Sequence, residues 1–154
     1  MKSLLALLVF LALVAAAALT GMMYLPGPWY EALVKPDWTP PNWLFPPVWT
    51  VLYVMIALAG WRVWEKQGFN QALIIWLVSL QLNAAWSVFM FKEHQIGMAA
   101  GDISVLWISI VAFIALTWNS NRIASLLFVP YLVWVSYAAA LNFAIWQLNP
   151  TPPV

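Results

Sequence analysis

Residues 67–91 read QGFNQALIIWLVSLQLNAAWSVFMF, and no charge interrupts them between Lys66 and Lys92. A bilayer core about 30 Å thick needs roughly 20 apolar residues in helical form. A transmembrane strand would need only about 9–11 residues, alternating in polarity. This stretch is longer and does not alternate, so it predicts a spanning helix. Working outward, residues 3–30 and 38–61 are also free of charge, and nothing after Arg122 is charged. The same arithmetic places five spans near 4–24, 45–65, 70–91, 96–118 and 122–147. The expected fold is an all-α membrane protein, a five-transmembrane-helix bundle formed as one domain over 1–154.

Composition agrees. Of 154 residues, 65% are hydrophobic and 7% are charged, six Lys/Arg against five Asp/Glu. Soluble domains carry about 25% charged residues. There is no Cys, which excludes disulfides, thiolate metal sites and Cys nucleophiles. His94 is the only His, so no His cluster can form within one chain. Its neighbours Lys92 and Glu93 suit a solvated loop. A net charge of +1 argues against nucleic acid as a partner. The chain holds 12 Trp, more than interfacial belts on a small bundle need.

The first span has a rival reading. Lys2, the Leu4–Val14 run and Ala15–Ala18 resemble a cleavable signal peptide. The apolar run continues through Met22, Met23, Tyr24 and Leu25, which favours a retained span. Positive charges divide as Lys2, Arg62, Lys66 and Arg122 against Lys35 and Lys92, predicting a cytoplasmic N-terminus.

One connection is long. Pro26–Leu44 is rich in proline and holds Trp29, Trp38 and Trp43 beside Glu31, Lys35 and Asp37. Long loops in compact proteins are usually functional or disordered, and the indoles favour packing. A short helix is expected over Trp29–Val34, ended by Lys35-Pro36.

Candidate site residues fall on shared helix faces. Trp49 and Tyr53 are i and i+4 on the second span, where an interfacial belt competes with an aromatic wall beneath the loop. Asn83, Trp86 and Ser87 share a face of the third span, and interhelical glue competes with ligand contact. Asp102 lies about two turns into the fourth span, where a carboxylate should face the interior or a watery site. Gly97 and Gly101 there permit close helix approach. On the fifth span Pro130 is expected to kink the helix and widen a cavity. Trp134 and Ala138 are i and i+4 and would line that cavity, Ala138 leaving room for something flat. No phosphate loop, Ser–His–acid set or carboxylate pair is present.

The series Trp29-Tyr30, Leu33, Lys35-Pro36, Trp38, Pro40-Pro41, Trp43, Phe45-Pro46, Trp49-Thr50, Leu52-Tyr53 and Met55 resembles the tryptophan-rich sensory protein family. This is also the translocator protein, or peripheral-type benzodiazepine receptor, family. The resemblance continues through Asn83, Asp102, Pro130-Tyr131, Trp134 and Leu141-Asn142. It implies a homodimeric five-helix bundle in a bacterial membrane, with no cofactor required. The implied ligands are tetrapyrroles such as protoporphyrin and haem, with sterols and benzodiazepine-type compounds in some members. The implied pocket lies under the first loop and is lined by Trp29, Tyr30, Pro40, Trp49, Tyr53, Asn83, Trp86, Ser87, Trp134 and Ala138. Trp38 belongs to the lid over it and Asp102 to its polar contacts. Where the family resembles a light-dependent porphyrin-degrading catalyst, Trp49 and Trp134 occupy the implicated positions. Animal members carry a cholesterol-recognition segment in the fifth span; here Phe143 stands for its Tyr and Gln147 for its Arg, favouring porphyrin over sterol. Three functions follow as expectations: a porphyrin receptor or sensor, a light-dependent degrading enzyme, and a small-molecule transporter.

Overall fold

The computed structural model describes residues 2–152. Five long helices are present: α1 (Lys2–Met23), α3 (Phe45–Gln67), α4 (Gln71–Ser87), α5 (Ile96–Thr117) and α6 (Arg122–Leu148). A short α2 (Pro28–Ala32) lies in the long loop, and a 3-10 turn, Asn42–Leu44, leads into α3. No strand occurs among the described residues. All five long helices are long and apolar enough to cross a membrane, α4 doing so together with the turn that follows it. The protein is an integral, multi-pass helical membrane protein.

The ends follow from local chemistry. Pro46 occupies the first turn of α3, where a missing N–H does no harm. Gly68 ends that helix at φ 65°, a conformation that glycine adopts without strain. Asn70 and Asn121 cap α4 and α6, accepting from Leu73 N at 3.1 Å and Ala124 N at 3.3 Å. The third span finishes differently from a plain α-helix. Val88–Lys92 forms a π-turn, with Glu93 N donating to Val88 O. Pro130 sits inside a continuous α6, on its exposed face.

Without water to expel between helices, bundle cohesion rests on close packing and interhelical hydrogen bonds. Trp76 is fully buried and donates from Nε1 to Ile56 O at 2.9 Å. Gly60 makes room for it: a Cβ there would lie 2.6 Å from the indole and 2.8 Å from Phe10. Phe113 and Phe128 stack α5 on α6 with ring centres 3.9 Å apart. Gly97 faces Trp146 within the monomer, whereas a side chain at Gly101 would meet open space. α1 is tied to α3 by Ser3, whose hydroxyl donates to Glu65 and whose carbonyl accepts from Trp61 Nε1.

The long loop is anchored rather than loose. α2 stops at Ala32, short of Val34, because two side chains take over the backbone beyond it. Lys35 Nζ donates to the carbonyls of Tyr30, Glu31 and Leu33. Asn149, just beyond α6, accepts from Val34 N at 3.0 Å and donates to Val34 O at 2.8 Å. Both backbone hydrogen-bonding groups of Val34 are thereby satisfied by one side chain.

Candidate functional site

A cavity of about 450 Å³ lies between the end of α1, the start of α3 and the end of α4. Ligand pockets fall between about 300 and 1,000 Å³. Trp49, Tyr53, Asn83, Trp86 and Ser87 line it, so the shared faces of two helices meet here. Trp49 and Tyr53 stack with centres 5.3 Å apart. No Asp, Glu, Lys, Arg or His lines the wall.

The polar atoms in the wall are mostly committed to structure. Tyr53 OH donates to Asn83 Oδ1 at 3.0 Å, and Asn83 Nδ2 donates to Tyr131 OH at 3.1 Å. Trp86 Nε1 donates to Asn142 Oδ1 at 2.9 Å, and Asn142 Nδ2 reaches Ile96 O. These amides join α3, α4, α5 and α6, which is the glue reading of Asn83. Trp134 differs: its buried Nε1 has no hydrogen-bond partner. A lone buried donor is costly unless something accepts from it.

Trp134 and Ala138 wall a smaller void of about 20 Å³, shared with Phe45, Trp49, Asn83 and Trp86. Thus Trp49, Trp86 and Trp134 meet around one space. A third void, also about 20 Å³, lies beside Tyr30, Leu141 and Asn142. Phe45 and Trp86 are walls of all three. The Phe45 ring stands edge-on to Trp134 at 5.8 Å.

Other residues singled out in the sequence stand off the main cavity. Tyr30 is buried beside Leu33, Met90, Ile96, Leu141 and Ile145, and reaches only the third void. Burial first, and Tyr137 second, push its hydroxyl up to about 12. Trp38 is 48% exposed and rests edge-on against Tyr137, whose hydroxyl donates to Trp38 O at 2.6 Å. Trp29 stacks on His94, ring centres 4.1 Å apart and nearly parallel. The His94 backbone is in the left-handed region, φ 55°. His94 is exposed as a loop His should be, yet its ring also supports Trp29 of the long loop. Pro40 is half-buried and lines none of these spaces. Asp102 lies on α5 with Oδ2 buried and unpartnered, within electrostatic reach of Tyr131. Among the described residues, no group of three His, Cys, Asp or Glu could hold a metal.

Sequence reasoning missed Phe45, Gly21, Tyr24 and Phe91 as wall residues. The α1 contribution was marked only by its small residues, Ala18 and Gly21, which let the cavity extend to that helix.

An aromatic cavity inside a multi-pass helical bundle defines the class. The family model described as TspO/MBR matches residues 5–147, and the chain belongs to that family. It is 41% identical over 156 aligned positions to a tryptophan-rich protein TspO of Chlorobaculum tepidum, covering 97% of this chain and 99% of that one. It is 39% identical over 140 residues to protein CrtK of Rhodobacter capsulatus, covering 88% of each. It is 35% identical over 127 residues to a translocator protein of Sus scrofa, covering 79% and 75%.

Proposed function

We propose that the protein is a membrane receptor for flat apolar ligands of the porphyrin class, acting in tetrapyrrole sensing or transport. The observation that carries this reading is the charge-free cavity walled by Trp49, Tyr53, Trp86 and Phe91. Indole and phenol faces suit a planar π-system, and few polar groups are needed to orient it. The free Trp134 N–H beside Ala138 supplies one such group if Phe45 turns aside. Names of relatives, a translocator protein among them, are compatible with either sensing or transport. We place the protein in a bacterial membrane with its N-terminus cytoplasmic, and as a homodimer.

Titration with protoporphyrin IX and, in parallel, cholesterol tests the reading, in the dark and under light. Saturable quenching of Trp fluorescence by protoporphyrin, stronger than any cholesterol effect, is expected. Absence of saturable quenching overturns it.

A second reading is light-dependent porphyrin degradation. It is favoured by Trp134 bordering a small void that shares its Trp49 wall with the main cavity, so a porphyrin in that cavity would touch Trp49 and have the Trp134 indole close behind it. No base or nucleophile is needed for electron exchange with an indole in the presence of dioxygen. Bleaching under light that persists unchanged in the Trp49→Phe, Trp134→Phe double variant removes these residues from that role.

A further inference from the structure

The cavity has an uncharged wall, but a cation stands beside its rim. Tyr24 and Phe91 belong to the wall. The next residue, Lys92, places its Nζ 5.8 Å from the centre of the Tyr24 ring. The π-turn Val88–Lys92 produces this arrangement, closing with Glu93 N to Val88 O and Gln95 N to Phe89 O. It sets Phe91 into the wall and leaves Lys92 exposed.

Lys92 is available in a way that Lys35, the other cation of these loops, is not. Lys35 is committed to three backbone carbonyls and to the Tyr30 ring at 4.9 Å. Lys92 pairs with Glu93 at 3.3 Å, and both side chains are about half exposed, 51% and 44%. Exposed pairs of this kind are weak and exchange readily. A carboxylate drawn into the cavity would lose its hydration and find no counter-charge. A carboxylate left at the rim keeps its water and meets an ammonium.

The geometry points to Lys92 as the specificity residue for carboxylate-bearing ligands. The apolar body fills the aromatic cavity, and a carboxylate at the mouth displaces Glu93 from the Lys92 ammonium. This inference rests on the cavity being the ligand site proposed above. It predicts discrimination between an acid and its ester that the cavity wall alone would not make.

The test uses the full chain in neutral detergent at low salt, with Trp fluorescence as readout. Protoporphyrin IX and its dimethyl ester are titrated into wild type, Lys92→Gln and Glu93→Gln. Lys92→Gln should weaken the diacid about fivefold and remove most of its salt dependence, while the ester is unaffected. Glu93→Gln should tighten the diacid alone. Equal changes for both ligands, or an unchanged diacid affinity in Lys92→Gln, overturn the assignment. Failure of wild type to bind either ligand removes the cavity as the site and the inference with it, a result distinct from the other two.

Discussion

The Tyr53 hydroxyl donates to Asn83 Oδ1 at 3.0 Å, and through that amide α3 is joined to Tyr131 on α6. One side chain thus holds both the cavity wall and the centre of the bundle. Asn83→Ala would strand two hydroxyls within the bundle. It is expected to destabilise the protein by about 1–3 kcal/mol. Tyr53→Phe keeps the ring and should cost about 1 kcal/mol. Thermal unfolding in detergent checks the ranking; equal midpoints for both variants and wild type contradict it.

Two tryptophans should respond differently to removal of the indole N–H. Trp76 is fully buried and bonded to Ile56 O. Trp76→Phe loses that bond and leaves a void, at a cost of about 2–4 kcal/mol. Trp134 Nε1 has no hydrogen-bond partner to lose. Trp134→Phe should unfold close to wild type while weakening ligand binding. Comparable destabilisation by both substitutions would show that Trp134 has a structural partner.

The clamp on the long loop is testable by hydrogen exchange. Asn149 satisfies both Val34 N and Val34 O. Asn149→Ala frees them, and the Val34 amide should exchange faster by about tenfold or more, in line with loss of two hydrogen bonds worth about 1 kcal/mol each. Exchange in α4 should be unchanged. No acceleration at Val34 argues that Lys35 alone anchors the segment.

Tyr30 predicts an alkaline weakness in the same loop. Its hydroxyl is raised from 10.0 to about 12, chiefly by burial, so the folded state favours the neutral form. The contribution is complete below the unfolded value near pH 10 and is lost as pH rises through about 12. Thermal midpoints should fall over that window in wild type and fall less in Tyr30→Phe. Parallel declines in the two proteins would assign the loss elsewhere.

The bundle was legible because span length and the absence of charge do not depend on tertiary detail. Helix periodicity also puts Trp49 with Tyr53, and Asn83 with Trp86 and Ser87, because residues three and four apart share a helix face whatever they pack against. The remainder depended on contacts between distant segments. Nothing local marks Phe45 as a shared wall, since its position follows from the turn Asn42–Leu44 that feeds α3. Trp29 and His94 meet across two loops, and Trp38 finds Tyr137 a long way along the chain. Proline and tryptophan content told that the loop was ordered, but not which indoles would face inward.

Phe45 and Trp86 border the aromatic cavity and both small voids beside it, and Trp86 is fastened there through Asn142. Phe45, Trp49, Asn83 and Trp86 line both the cavity and the recess beside Trp134 and Ala138, so the partition between them is made of three rings and one amide. Side-chain rotation is faster than helix displacement, so a partition of side chains is a softer boundary than one of packed backbone.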